Sequence, residues 1–344
     1  MKRHLLAGLA LLATALSPGC YKPQPVLRLY NWADYVKPAL LARFEKENNC
    51  RIVLDTFDSN ETLYAKLKGG PARYDLVFPS GYMLQKMRQQ GMVEALNHAL
   101  LPNLKHLDAA ICKVSPDPAA TVAVPYTVSY TGVGYLKSKV TNVVESWSMF
   151  DRKDLAGRMT MLNDMRETLA AGLRFLGFSS NTTNEEQLAR AGDVVIRWKK
   201  NLAKFENEQY KSGLAAGEFL LVHGYVGDLL QLQAENRDIG IFFPKEGFVT
   251  TCDCMVIPKG ARNVGLAHKY INFMLDPQVA AENTAFIRYL CPNKDSYALL
   301  PDRVRKNPTI LVPGEIRVRS EETLDLGENT AKYVKVWDRI KAAK

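Results

Sequence analysis

Strand-like and helix-like segments alternate strictly where the body of this chain begins, and that order constrains its fold more than any other feature. Three short apolar segments, residues 26–31, 51–55 and 74–78, are typical of strands. Two amphipathic segments lie between them, and the first has Pro38 in its first turn, where helices tolerate proline. A βαβαβ order predicts parallel strands joined by right-handed helical crossovers.

The rest of the chain continues the alternation, so we expect a second α/β unit. Further strands are predicted at 158–162, 219–223, 239–243 and 249–258, and further helices at 165–176, 184–202, 225–235, 264–275, 277–287 and 328–341. A length of 344 residues suggests about two domains at roughly 150 residues each. Two α/β lobes therefore fit the length better than one large sheet.

The N-terminus is typical of an export signal. Lys2 and Arg3 precede an apolar run at residues 5–16, and small residues then lead to Cys20. The end of this segment resembles the lipobox of bacterial lipoproteins, although its leucine lies one residue farther from the cysteine than usual. We therefore predict a lipoprotein signal peptide at 1–19, lipidation of Cys20, and an anchor and tether at 20–25. A plain secretory signal with an incidental cysteine is the alternative.

The chain has five other cysteines, an odd number, so at least one must lack an intramolecular partner. We predict buried structural thiols. Cys252 and Cys254 are the only close pair, and they lack the two-residue spacing of redox and zinc motifs. We expect their thiols on opposite faces of a strand. No metal and no cofactor is predicted.

The basic composition does not by itself indicate nucleic-acid binding. The formal net charge is +9, but Lys and Arg are scattered and interleaved with Glu and Asp, as in residues 43–47. A surface of mixed sign is normally a solvated face. We therefore predict no nucleic-acid partner.

Carboxylates and aromatic rings follow the predicted strands, at the sheet edge where open parallel sheets bind ligands. These candidates are Trp32, Asp34, Tyr35, Ser80, Tyr82, Asp164, Glu167, Tyr225 and Asp228. Asp253 is the strongest single residue, because a charge inside an apolar strand needs a partner. We interpret Glu61 as part of a capping box with Asp58, and His223 as a core histidine with satisfied ring nitrogens.

Carboxylates that alternate with flat rings suit a flexible polycation. Each ammonium needs a desolvated carboxylate partner, because an unpaired buried charge is very costly. The methylenes between the ammonium groups pack on aromatic faces, and each cation gains roughly 0.5–2 kcal/mol from a ring. This chemistry favours a polyamine as the ligand.

The chain also resembles the bacterial spermidine/putrescine-binding proteins that serve ABC importers, over nearly its whole mature length. The matching segments are residues 29–36 (LYNWADYV), 59–68 (SNETLYAKLK), 74–80 (YDLVFPS), 166–167 (RE), 181–183 (NTT), 244–247 (PKEG) and 292–293 (PN). So many matches in the same order are far more specific than any single motif.

This resemblance implies a two-lobe periplasmic-binding-protein fold of type II, with a hinge and a cleft between the lobes. Each lobe is expected to contain a mixed sheet flanked by helices. Lobe 1 is predicted to comprise residues 26–128 and 257–297, and lobe 2 residues 129–256 and 298–344. The resemblance adds Tyr289 to the candidates above as a cleft residue.

Roles within the cleft also follow from the resemblance. Asp34 would receive one terminal ammonium, and Asp164 and Glu167 match acids that hold amino groups in spermidine binders. Asp228 matches an acid of putrescine binders, and Asp253 matches the hinge aspartate.

Three positions depart from the family pattern. Tyr225 stands where the family has tryptophan, Thr251 replaces another tryptophan, and a glutamine is replaced near Thr323. The site therefore mixes spermidine-type and putrescine-type features, and the preferred polyamine stays open.

The resulting hypothesis is an extracytoplasmic, lipid-anchored receptor that captures spermidine or putrescine for the permease and ATPase of an ABC importer. It is not an enzyme. A competing hypothesis is a receptor for a different solute, such as an amino acid or an oxyanion, which would need Arg or Lys in the cleft. We find none near these strand ends. Two hypotheses from different classes are an exported hydrolase that uses Asp164 and Glu167 as acid and base, and a structural surface lipoprotein.

Overall fold

The computed structural model describes residues 24–69 and 73–343. The predicted signal peptide at 1–19, Cys20 and most of the predicted tether lie outside the described residues. None of the helices within the two ranges is long and apolar enough to span a membrane.

Strands and helices alternate through most of the described chain. The strands are β1 (Val26–Trp32), β2 (Arg51–Phe57), β3 (Leu76–Val77), β4 (Ala123–Leu136), β5 (Met159–Met161), β6 (Leu202–Phe205), β7 (Leu221–Tyr225), β8 (Ile239–Phe242), β9 (Phe248–Val256) and β10 (Ser320–Glu322). The helices are α1 (Pro38–Asn48), α2 (Asn60–Lys68), α3 (Gly81–Gln89), α4 (Met165–Phe175), α5 (Glu185–Lys199), α6 (Gln209–Ala216), α7 (Val226–Glu235), α8 (Val264–Met274), α9 (Pro277–Ile287), α10 (Asp302–Arg305), α11 (Gly314–Arg317) and α12 (Thr330–Ala342).

The strands form one hydrogen-bonded path in the order β2-β1-β3-β9-β4-β7-β5-β6, with β10 on β9 and β8 on β4. β1 is parallel to both β2 and β3, which confirms the predicted βαβαβ start. β9 is antiparallel to β3 and to β4, so the sheet is mixed. Helices flank it, and the predicted α/β fold class is confirmed.

β4 connects the two halves of this path. Its first half, residues 123–130, pairs with β9, and its second half pairs with β7 on one side and β8 on the other. The lobe boundary predicted between residues 128 and 129 falls inside this strand. The division into two hinged lobes remains a prediction.

Residues 298–344, assigned to lobe 2, divide their packing between the two halves. α12 packs against α4 and α5 of the second half. In contrast, Leu300, Val304 and Ile310 join the buried cluster that contains Phe57 and Leu63 of the first half. The C-terminal segment therefore contacts both halves of the molecule.

Several local predictions are wrong. The third strand contains only residues 76–77, and the helix predicted to reach residue 202 ends at Lys199, so that Leu202 begins β6. The N-cap of α2 is Ser59, whose side chain accepts a hydrogen bond from the Thr62 N–H, and Asp58 and Glu61 do not form the predicted capping box.

The buried thiols are confirmed, but their predicted orientation is wrong. All five cysteines of the described ranges are free and buried. The sulfurs of Cys252 and Cys254 lie 3.9 Å apart, because residues i and i+2 of a strand point to the same face.

His223 is buried as predicted but is not satisfied. Neither of its ring nitrogens has a hydrogen-bond partner in the described structure. Burial lowers the pKa of His223 to about 3, so the ring is neutral. It packs edge-on against Trp147 with 5.0 Å between the ring centroids.

Candidate functional site

One cleft lies where several strands end, and it brings together ten of the eleven predicted site residues. They are Trp32, Tyr35, Ser80, Tyr82, Asp164, Glu167, Tyr225, Asp228, Asp253 and Tyr289. The cleft encloses about 820 Å³ of space outside the protein atoms, open solvent included.

Strand ends and helix starts position these side chains. Trp32 is the last residue of β1, and Tyr225 is the last residue of β7. Ser80 and Asp164 are the N-cap residues of α3 and α4. The carboxyl-end rule therefore explains why residues distant in sequence meet here.

Asp253 is a buried carboxylate of the cleft, with only 5% of the residue exposed. Ser80 Oγ donates a hydrogen bond to Oδ1 at 2.6 Å, and the Tyr35 hydroxyl donates to Oδ2 at 2.7 Å. Burial raises the pKa of Asp253 to about 6, although both hydroxyl contacts act to lower it. No Lys or Arg of the described chain forms an ion pair with it.

Asp164 and Glu167 form a second acidic feature at the start of α4. Asp164 Oδ1 accepts hydrogen bonds from the backbone N–H groups of Arg166 and Glu167, at 2.8 and 3.0 Å. Thr131 Oγ1 donates to Glu167 Oε2 at 3.0 Å. Burial, and next the charge of Asp164, raise the pKa of Glu167 to about 8, and burial also raises the pKa of Asp164.

Aromatic rings in the cleft are held by contacts with the protein itself. The Trp32 indole N–H donates to the Phe78 carbonyl at 2.9 Å, and its ring packs 4.4 Å from that of Phe57. The rings of Tyr35 and Tyr289 meet edge to face at 4.9 Å. These contacts fix the rings before any ligand arrives.

Asp228 lies in the first turn of α7 and is bound by two phenols. The Tyr210 hydroxyl donates to its Oδ2 and the Tyr289 hydroxyl to its Oδ1, both at 2.7 Å. Gly227 precedes it, and a Cβ there would lie 2.3 Å from the Tyr289 ring. A glycine is therefore needed for Tyr289 to reach Asp228.

The expectation that no Arg or Lys faces the cleft is wrong, because Arg166 and Lys211 both line it. The Arg166 guanidinium is directed to the Leu324 carbonyl and to Asn181 Oδ1, at 2.8 Å each. Lys211 extends from α6, a helix that the sequence did not predict, and its ammonium contacts acidic side chains.

Asp34 is the one predicted site residue outside the lining of the cleft. Its side chain is 71% exposed, and its backbone has a φ of 54° in the left-handed region. Its Oδ2 lies 3.5 Å from Lys211 Nζ. The structure thus places Asp34 beside a protein ammonium.

Further residues at the cleft escaped the sequence prediction. Glu61, which we interpreted as a helix cap, accepts a hydrogen bond from the Tyr82 hydroxyl at 3.3 Å. Surrounding protein, and next the charge of Asp164, raise its pKa. The departures Thr251 and Thr323 both line the cleft, as does Glu208. The (i, i+3) spacing of Glu208 and Lys211 was a signal that could have indicated α6.

The acids of the cleft are not arranged for a metal. No group of three or more His, Cys, Asp or Glu side chains within residues 24–69 and 73–343 could hold a metal ion. The hydrogen-bonded, aromatic-walled carboxylates are instead suited to an organic cation.

Comparison with known proteins places this geometry among transport receptors. A family model described as bacterial extracellular solute-binding protein matches residues 39–312. The spermidine/putrescine-binding periplasmic protein of Escherichia coli is 32% identical over 344 residues, covering 99% of each chain.

Two solved structures have the same fold. A putative spermidine/putrescine ABC transporter from Listeria monocytogenes superposes with a TM-score of 0.88 at 30% identity, covering 93% of this chain and all of its counterpart. The Tp0655 (TpPotD) lipoprotein of Treponema pallidum superposes with a TM-score of 0.84 at 33% identity, covering 92% and 99%.

Proposed function

This chain belongs to the family of bacterial extracellular solute-binding proteins, and from that premise we propose that it captures a polyamine, spermidine or putrescine, for an ABC importer. It is a receptor of the extracytoplasmic space and not an enzyme. The ligand is held by charge pairing and aromatic contact, and no covalent step is involved.

The observation that carries this proposal is a set of three desolvated cleft carboxylates without an ion-pair partner. Asp164, Glu167 and Asp253 form no ion pair within 4.0 Å in the part of the chain that the structure describes. Desolvated charges without an ion-pair partner are costly, and the raised pKa values of these groups reflect that cost, although the charge of Arg166 acts to lower the pKa of Asp164 and of Glu167. A ligand that carries two or more ammonium groups would supply the missing charges.

The walls of the cleft support the same class of ligand. Trp32, Tyr35, Tyr82, Tyr225 and Tyr289 line the cleft beside these acids. Methylene chains pack on such rings, and each ammonium near a ring face gains roughly 0.5–2 kcal/mol. An inorganic cation would make no comparable use of five aromatic side chains.

An anionic solute or a zwitterionic amino acid fits the cleft less well. Both would need a cation for their carboxylate or oxyanion, and the two cations of the cleft are outnumbered by six acids. Arg166 is bonded to Leu324 and Asn181, and Lys211 contacts acids. The hydrolase hypothesis also loses support, because Asp164 Oδ1 is occupied as the N-cap of α4.

We propose in addition that residues 1–19 are removed and that lipid on Cys20 anchors the receptor to a bacterial membrane. The lipobox-like sequence supports this, and the Treponema pallidum relative is itself named a lipoprotein. The permease and ATPase subunits of the importer would be its protein partners.

Titration calorimetry of residues 24–344 with putrescine, spermidine and spermine tests the proposal. We expect reversible binding near the micromolar range, about −8 kcal/mol. In the Asp253→Asn variant, affinity should fall by about tenfold or more, because breaking a desolvated charge pair costs roughly 2–5 kcal/mol.

Asp238→Asn is the matched control, since Asp238 is a partly exposed acid that accepts hydrogen bonds from Ser138 outside the cleft. It should leave the affinity unchanged. Failure of all three polyamines to bind at millimolar concentration would contradict the proposed function. An unchanged affinity in Asp253→Asn would remove Asp253 from the site.

A further inference from the structure

Two groups of carboxylates in or beside the cleft differ in their partners. The free acid group consists of Asp164, Glu167 and Asp253, which have no ion pair in the described structure. The lysine-bound acid group consists of Asp34, Glu208 and Asp228, and all three contact the ammonium of Lys211.

The contacts of Lys211 surround its ammonium with acids. Nζ lies 3.2 Å from Glu208 Oε2, 3.5 Å from Asp34 Oδ2 and 3.9 Å from Asp228 Oδ2. Asp34 follows β1 in the first half of the molecule, whereas Lys211 and Asp228 belong to α6 and α7 in the second half. The ammonium therefore bridges the two halves.

Lys211 stays charged in this position. Its side chain is 23% exposed, and burial alone would lower its pKa. Asp228, Glu208 and Asp34 outweigh that effect and raise the pKa of Lys211 above its ordinary value. The protein thus supplies a permanent ammonium to an acidic site that a ligand would otherwise fill.

A second ammonium is unfavourable there for two reasons. The acids are already compensated by Lys211, so a ligand gains less by pairing with them. Two ammonium groups that share the same carboxylates would also repel each other strongly in a partly desolvated cleft. Such a built-in repulsive element is a recognised source of specificity.

We infer that Lys211 is a specificity-determining residue that fills the ammonium subsite at the lysine-bound acid group, so that the cleft selects diamines over triamines. This inference rests on the proposed function. The free acid group offers two positions for an ammonium, the Asp164–Glu167 pair and Asp253, and a diamine can occupy both. The third ammonium of a triamine would meet the lysine-bound acid group, where Lys211 already pairs with the acids.

Calorimetry with putrescine and spermidine on the wild type and on Lys211→Met tests the inference. The methionine variant keeps most of the length of the side chain and removes its charge. We expect its affinity for spermidine, relative to putrescine, to rise by at least about tenfold. Lys211→Arg keeps the charge and should keep the wild-type ratio. Lys211→Gln provides the same test if the methionine variant does not fold.

Lys46→Met is the matched control, because Lys46 is exposed on α1 and its loss changes the net charge equally. It should leave the ratio unchanged. An unaltered ratio in Lys211→Met, or an equal loss for both polyamines, would overturn the inference while leaving polyamine binding intact. Failure of the wild type to bind either ligand would instead overturn the proposed function, and the inference with it.

Discussion

The surroundings of Glu167 and Asp253 favour the binding of a cation, and they make the ionised carboxylates unfavourable in the ligand-free protein. Both are more than nine-tenths buried and have raised pKa values, because burial outweighs their hydroxyl donors and neither has an ion-pair partner in the described chain. A bound ammonium would favour the ionised forms. We therefore expect polyamine binding to release protons near neutral pH and affinity to rise with pH up to about 8. Calorimetry in buffers of different ionisation enthalpy measures both effects.

The raised pKa of Glu167 should also make the stability of the ligand-free protein depend on pH. Glu167 has a folded pKa of about 8 against an ordinary 4.5, so the folded state holds its proton longer than the unfolded state. Stability is therefore lost as pH rises from 4.5 to 8. We expect Glu167→Gln to be more stable than the wild type at pH 8.5, by ~2–4 kcal/mol, with almost no gain near pH 4.5.

Urea unfolding of both proteins at the two pH values checks this prediction. Glu186→Gln is the control, because Glu186 is an exposed acid in the first turn of α5. A wild type that gains stability relative to Glu167→Gln as pH rises would contradict it.

Residues whose position follows from a strand end could be predicted from the sequence, and residues on unpredicted elements could not. Trp32, Ser80 and Asp164 follow strands that the apolar pattern indicates. Lys211 was missed because α6 has only eight residues and little amphipathic character. The prediction that Asp34 binds the ligand could not take Lys211 into account, because the sequence does not show that a lysine far along the chain lies beside it.

At the scale of elements, β4 shows why periodicity alone gives an incomplete fold. Nearly all of its 14 residues are buried, so it lacks the polar alternation of a half-exposed strand. It also contains Pro125, Gly132 and Gly134, which suggest turns in a sequence. The register shift beside Pro125 accommodates the proline. A Cβ at Gly132 would clash with the Phe242 carbonyl oxygen, and a Cβ at Gly134 would clash with the Leu229 side chain.

β4 is also the element about which we expect the two predicted lobes to close. Its pairing passes from β9 to β7 between Tyr130 and Thr131, next to the cleft. A polyamine that contacts both halves should favour the closed arrangement. Small-angle X-ray scattering should therefore show a smaller radius of gyration with saturating putrescine than without it.

The Asp253→Asn variant at the same putrescine concentration is the control for this measurement, since it should stay partly unliganded. Identical scattering profiles for the empty and saturated wild type would contradict closure of hinged lobes.

The charge of the whole molecule has the opposite sign to that of its cleft. The formal net charge is +9, yet six acids and only two cations of the described chain line the cleft. The two facts are compatible because exposed charges farther than about 10 Å are screened by salt, whereas pairs inside the cleft are not. Net charge is therefore a poor guide to the ligand.

The proposed anchor is a property of the whole molecule and can be tested in cells. Each buried methylene of a lipid chain contributes about 0.8 kcal/mol, so acyl chains on Cys20 would hold the receptor at a membrane. We expect the wild type to sediment with membranes and Cys20→Ser to be released. Retention of the serine variant in the membrane fraction would contradict lipidation at this residue.

The five buried thiols have a consequence for biogenesis. Their sulfurs are shielded from dissolved oxidants once the chain has folded. During synthesis and secretion the same groups are accessible, and Cys252 and Cys254 are close enough in sequence to react wrongly with each other or with a neighbouring molecule. We therefore expect rapid folding to protect these thiols, and slow folding to increase the yield of disulfide-cross-linked, inactive protein.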